Sequence, residues 1–103
     1  MSWQDKFNDW ELEKGRDYFE MNKVLFIDRD NNIFTAQVAG SDYYSEYKVT
    51  TVINNKGEVT AQKCTCPRYR DKGYCKHIIA TLFEIEKVFP DVLKGSYKDT
   101  RYT

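Results

Sequence analysis

The sequence predicts an α+β fold: an N-terminal helix, a four-stranded antiparallel meander, a cysteine-rich knuckle and a C-terminal helix. Three observations predict it. Aromatic residues near the N-terminus recur at helical spacing, segments rich in β-branched and aromatic residues then alternate with polar turns, and a broad apolar helical stripe follows the cysteines. At 103 residues the chain has the size of one domain.

The first helix is predicted from aromatic side chains that share one helical face and would pack on the sheet. Ser2 is its expected N-cap, and Gly15 either interrupts the helix or splits it in two. The helix is expected to end near residues 22–23. The apolar face consists of Trp3, Phe7 and Trp10.

The sheet is predicted from Val24 onward, where the apolar period changes from helical spacing to alternation. The expected strands are VLFI, IFTAQVAG, SDYYSEYKVTTVI and EVTAQKC, with turns at DRDNN and NNKG. Short polar turns join neighbouring strands, so the sheet should be antiparallel. Alternation places most of the third strand's bulky residues on one face, where core packing is favoured over an exposed aromatic platform. These residues are Tyr43, Tyr47, Val49, Thr51 and Ile53.

The second helix is predicted from apolar residues between Ile78 and Phe89, and Pro90 ends it. It should cover the sheet. We expect one domain over residues 1–90, with a polar tail or linker over residues 91–103.

The three cysteines and the single histidine of the chain fall within the segment CTCPRYRDKGYCKH. The spacing is Cys64-x-Cys66, eight intervening residues, then Cys75-x-His77. An odd number of closely spaced cysteines is a poor disulfide framework, and a Cys-x-Cys pair is awkwardly placed for a redox disulfide. Four such ligands in two close pairs instead match a structural zinc ion with tetrahedral coordination, a zinc knuckle.

The flanking elements support this geometry. Residues i and i+2 of a strand point to the same side, so Cys64 and Cys66 can reach one ion from the end of the fourth strand. Residues i and i+2 of a helix do not face each other, so Cys75 should precede the second helix and His77 should lie in its first turn. Pro67 stops further strand pairing. Three thiolates, a neutral imidazole and Zn²⁺ leave a net charge of about −1.

The four ligand positions, with a meander before them and an apolar helix after them, resemble the SWIM zinc finger, whose finger proper would span about residues 59–90. The segment GRDYF, from Gly15 to Phe19, is similar to one found upstream in bacterial members. The resemblance implies a zinc-stabilised module that binds DNA or protein. Such modules occur in bacterial SNF2-type helicase proteins, plant transposases and certain ubiquitin ligases, so it also implies a longer parent chain.

The loop PRYRDKGY between the ligand pairs is the candidate partner-binding segment. Total charge is balanced at 16 basic and 16 acidic residues, but the first sixty residues hold seven basic and eleven acidic ones. Basic residues therefore concentrate around the cysteines, where they would contact phosphates while Tyr69 or Tyr74 stacks on a base or packs on a protein. The alternative is a solvated loop. The candidates are Arg68, Tyr69, Arg70, Lys72 and Lys76.

The sequence also limits the function. Four protein ligands leave the zinc no open position, and no phosphate-binding loop or nucleophile motif is present, so we expect no enzyme and no small-molecule substrate. The chain contains no long apolar run and no signal-like N-terminus, which predicts no membrane partner and a cytoplasmic location. Two functions remain open: nucleic-acid binding, with DNA favoured, and a protein–protein adaptor.

Overall fold

The structure is a computed structural model that describes residues 3–40, 45–72 and 75–93, with only the backbone at positions 71 and 72. The α+β prediction is confirmed, and the strands form one antiparallel sheet in the order β1-β2-β3-β4. A 3₁₀ turn at Trp3–Lys6 precedes helix α1 (Asp9–Glu20), strands β1 (Val24–Asp30), β2 (Ile33–Ala39), β3 (Glu46–Ile53) and β4 (Val59–Cys64), and helices α2 (Pro67–Lys72) and α3 (Lys76–Val88).

The start of α1 differs from the prediction. The expected cap, Ser2, lies outside the described residues, and the helix begins only at Asp9. Asn8 is its N-cap, and the Asn8 amide donates a hydrogen bond of 2.9 Å to Glu11 Oε1, as in a capping box. The chain leaves α1 through Asn22, which has a positive φ of 60°, so the expected C-terminal end is confirmed.

Gly15 neither interrupts nor splits α1, contrary to expectation, and its role is to allow α1 and α3 to touch. A Cβ atom at Gly15 would lie 2.2 Å from Ile79 Cγ2 and 2.5 Å from Ile79 Cβ. The prediction that the first helix packs on the sheet is also wrong, because α1 packs mainly on α3. Trp3 meets Phe83 of α3 edge to face at 4.9 Å between ring centroids, whereas Trp10 is 45% exposed.

The sheet has one buried and one open face. Val49, Thr51 and Ile53 are fully buried on the predicted face of β3, and Tyr47 is half-buried. Tyr43 and Tyr44 lie outside the described residues. Strand β1 extends to Asp30, so the first turn is shorter than predicted because Asn31 accommodates a φ of 61° there.

Helix α3 covers the buried face of the sheet and supplies most of the helical core, as predicted. Its buried residues pack with Phe34 and Val38 of β2 in one cluster. The chain turns after Pro90, and Val92, which we assigned to the tail, is buried in the same core. The molecule therefore has three layers: α1, α3 and the sheet.

We expect Gly15→Ala to destabilise the protein by about 1 to 3 kcal/mol, although alanine is the better helix former by about 1 kcal/mol. The added methyl group cannot fit against Ile79 without separating α1 from α3. Urea unfolding of the zinc-loaded protein measures the effect. Glu13→Ala, at an exposed position of α1, is the matched control and should change stability by less than about 0.5 kcal/mol. An unchanged or raised stability for Gly15→Ala would contradict the close contact.

Candidate metal centre

At the end of strand β4 the side chains of Cys64 and Cys66 point into the core. Cys64 is in register with Val49 of β3, and Thr65 continues the pairing through a 3.1 Å hydrogen bond from its amide to the Lys48 carbonyl. The Lys48 amide in turn donates to Thr65 Oγ1 at 3.0 Å. Thr65 is exposed while Cys64 and Cys66 on either side of it are buried. The predicted strand geometry is confirmed.

The segment predicted as a basic loop instead begins with helix α2. Pro67 is its first residue, a position where a missing N–H costs nothing. Cys66 Sγ accepts a 3.3 Å hydrogen bond from the Tyr69 amide, and the Tyr69 hydroxyl donates to the Gln62 carbonyl at 2.8 Å. These two bonds fasten α2 to β4 beside the cysteines.

The start of α3 agrees with the prediction. Cys75 is the N-cap with extended backbone, and His77 lies in the first turn. Both side chains are buried. Cys75 and His77 therefore approach Cys64 and Cys66 from the side of the core that α3 covers.

Two tyrosines that flank the His77 ring carried no predicted role at the site. The Tyr18 ring meets it edge to face at 5.4 Å between centroids, and the Tyr47 ring lies at 4.9 Å. The Tyr18 hydroxyl donates a hydrogen bond to the Ala39 carbonyl, which ties α1 to the end of β2. The position of Tyr18 in GRDYF could have indicated its burial, because it lies three residues after Gly15 on the same face of α1.

The four side chains fit a zinc site. The candidate ligand atoms of Cys64, Cys66, Cys75 and His77 all lie within 4.8 Å of one another, and all four residues are buried. Cys64 Sγ is 3.9 Å from His77 Nδ1. Atoms bound to one tetrahedral zinc ion lie roughly 3.4 to 3.8 Å apart, so only a small contraction is needed. His77 Nε2 is buried and finds no hydrogen-bond partner among the described residues, so this one ring nitrogen lacks a protein partner that would compensate its burial.

The thiols of Cys64 and Cys75 shift each other's pKa in opposite directions. A hydrogen bond from the Cys75 thiol lowers the pKa of Cys64 from 9.0 to about 4, against the opposing effect of burial, and His77 adds to the lowering. The same interaction with Cys64, together with burial, raises the pKa of Cys75 well above its ordinary value. Protein groups alone therefore stabilise a thiolate at Cys64 but keep the proton on Cys75. A divalent cation held by the four side chains would compensate the further negative charge and so favour the thiolate form of Cys75.

The structure separates the residues predicted to bind a partner. Arg68 and Arg70 are exposed on α2, whereas Tyr69 is half-buried and its hydroxyl is engaged by Gln62. Lys76 is half-buried, with its ammonium 4.6 Å from the centre of the Tyr18 ring. The side chain of Lys72 and all of Tyr74 lie outside the described residues.

The family model of the SWIM zinc finger matches residues 49–86, a segment that contains all four cluster residues. No curated protein and no solved structure matches the chain. The SWIM zinc finger is a binding module and not a catalytic family. The match and the buried Cys₃His cluster together support one structural Zn²⁺. Within the described ranges, no helix combines the length and apolar character needed to cross a bilayer.

We expect the purified protein to contain close to one zinc per chain, and chelation to loosen at least the C-terminal third, because metal binding is coupled to folding. Elemental analysis and hydrogen exchange measure the two effects. Cys75→Ser should lose the metal and, with Co²⁺ as the probe, the sulfur-to-cobalt absorption bands. Thr65→Ser, between two cysteines but facing solvent, is the matched control and should retain both. A folded, metal-free wild type with intact thiols would refute the zinc site.

Proposed function

We propose that Cys64, Cys66, Cys75 and His77 bind one structural zinc ion and that the resulting module binds DNA through the surface of α2. The observation that supports this proposal is the placement of α2, a short basic helix fixed beside the cluster with Arg68 and Arg70 exposed. A cationic surface on a rigid support favours a polyanionic partner.

In this proposal the zinc stabilises the fold and takes no part in a reaction. Its four ligands come from the end of β4, from the residue before α2 and from the start of α3, so one ion would tie three elements together. Four protein ligands leave no open position for water or substrate.

The basic residues around the cluster would contact phosphates. Arginine presents several N–H donors in one plane, which suits paired hydrogen bonds to phosphate oxygens. Arg68 and Arg70 are two residues apart on α2 and point to different sides of it, so they would contact different phosphates. Lys72 follows on the same helix, and Lys76 begins α3. Tyr69 acts here by holding α2 against β4, since its hydroxyl already donates to Gln62.

Helix α3 is not proposed to enter a DNA groove. In two-Cys, two-His fingers the start of the helix contacts the bases. Here the first turn of α3 carries Cys75 and His77, both of which point into the buried cluster. The DNA would therefore lie across α2 and the neighbouring sheet edge, where Lys63 is exposed on β4.

We also propose that the module serves an intracellular, larger SNF2-type helicase or ATPase, on the strength of the resemblance described above. The module would then supply DNA contact and the parent would supply ATP hydrolysis. Adding DNA should stimulate ATP hydrolysis by that parent less when the α2 arginines are neutralised.

A protein adaptor is the second candidate, and one observation favours it. The exposed apolar residues Leu25, Phe26 and Ile33 lie on β1 and the start of β2, at an edge of the sheet. Exposed apolar side chains on and next to the edge strand β1 suit a protein partner.

The test is a salt titration of binding to duplex and single-stranded DNA. Because each neutralised phosphate contact contributes about 0.9 to the log–log salt slope on duplex DNA, the triple variant Arg68→Gln, Arg70→Gln, Lys72→Gln should flatten that slope by roughly 2 to 3. Affinity at low salt should fall steeply. Fluorescence anisotropy with labelled DNA measures both quantities.

Single substitutions supply the matched control. Arg70→Gln should weaken binding, whereas Lys56→Gln, in the turn at the opposite end of β4 from Cys64, should not, although both remove one positive charge. If wild-type protein binds neither DNA form at low salt, the adaptor function replaces this proposal.

A further inference from the structure

A pocket of about 120 Å³ lies where helices α1, α2 and α3 meet, next to the Cys₃His cluster. It takes side chains from elements that are far apart in the sequence, and the α1–α3 contact at Gly15 helps to hold its walls together. Its lining includes Trp10, Glu11 and Lys14 of α1, Arg68 of α2, and Cys75 and Lys76 at the start of α3.

The charged groups of this pocket favour an anionic ligand. The lining contains three cationic side chains, Lys14, Arg68 and Lys76, and one carboxylate, that of Glu11. Glu11 is buried, and its Oε1 already accepts the Asn8 amide as part of the α1 cap. Glu11 and the zinc-loaded cluster, with its net charge of about −1, together offset two of the three positive charges, so the lining keeps a net positive charge. Phosphate is a ligand that lysine and arginine recognise well.

The aromatic group of the pocket favours a planar ligand. Trp10 is 45% exposed at the rim, in contrast to Trp3, which is 7% exposed in the core. The Lys14 ammonium, one helical turn further along α1, lies over one face of the Trp10 ring at 5.5 Å from its centre, so a base would stack on the opposite face of the indole. An indole beside an ammonium group suits a unit that carries both a flat π system and a phosphate.

The size of the pocket points to one unit of a polymer. Pockets for free small molecules usually have volumes of about 300 to 1,000 Å³. The space here is smaller and is lined by three cationic side chains, so it suits the phosphate group of one nucleotide, with the base on the exposed Trp10 and the neighbouring nucleotides on the surface outside. A base inside a duplex is stacked on both faces, and only an unpaired base can lie flat on an indole.

We propose that this pocket binds one unpaired nucleotide of single-stranded nucleic acid, with the base stacked on Trp10 and the phosphate held by Lys14, Arg68 and Lys76. The inference rests on the proposed function and narrows it to a preference for single strands. The exposed Arg70 of α2 would contact a flanking phosphate.

The test uses intrinsic fluorescence of the zinc-loaded chain and an oligo(dT) of about 12 nucleotides. The chain has two tryptophans, and only Trp10 is accessible for stacking, so binding should quench its emission and leave that of Trp3. Trp10→Ala should abolish the quenching and weaken single-strand binding tenfold or more, while changing duplex affinity by less than about twofold. Trp10→Leu, which keeps apolar bulk without an aromatic ring, should behave in the same way.

Matched controls separate stacking and charge from general effects. Phe26→Ala removes a 57% exposed aromatic ring from the sheet and should leave binding unchanged. Lys14→Gln should lower the single-strand salt slope by about 0.7, and Lys56→Gln should not. A zinc content near one per chain verifies that each variant is folded.

The outcomes distinguish this inference from the proposed function. If both Trp10 variants bind oligo(dT) as wild type does while Arg70→Gln loses affinity, the pocket assignment is overturned and DNA binding through α2 stands. Equal losses of single-strand and duplex affinity on Trp10→Ala would also overturn it. Absence of binding to either DNA form by wild type at low salt overturns both.

Discussion

Three cysteine thiols and one imidazole lie buried within 4.8 Å of one another, and full ionisation of the thiols there requires a cation. Much of the C-terminal half depends on this requirement. Helix α2 has only six residues, too few to persist alone, and its contacts with Cys66 and β4 hold it in place. The exposed arginines of α2 therefore have a fixed position only because the cluster beside them does.

A second constraint is the absence of a side chain at Gly15. It lets α1 rest directly on Ile79 of α3, so the N-terminal helix reaches the start of α3, where the cluster lies. The same approach brings Trp10 and Lys14 beside Arg68 and makes one pocket from three helices. The contact of α1 with α3 at Gly15 and the Cys₃His cluster thus shape one common surface, although Gly15 and the cluster residues are distant in the sequence.

The sequence predicted what local periodicity controls. Strand alternation placed Cys64 and Cys66 on one side, and helical spacing placed His77 in the first turn of α3, so the candidate ligands were evident before the structure. Tertiary contacts could not be predicted from local periodicity. An amphipathic pattern shows which face of α1 is buried but not that α3 covers it. Gly15 was predicted to break the helix because the sequence does not show that Ile79 lies against it. Helix α2 was missed because Pro67 signals both the end of a strand and the first turn of a helix.

The aromatic surroundings of His77 have a consequence for kinetics rather than affinity. Its ring contacts Tyr18 and Tyr47, and the Tyr18 hydroxyl is anchored to the Ala39 carbonyl. The imidazole can swing away from the cysteines only if these rings also move, and movement of Tyr18 requires α1 to loosen from α3. Release of an ion through dissociation of His77 would therefore be coupled to opening of the N-terminal helix, so a helix that contributes no candidate ligand would lengthen the lifetime of the bound metal.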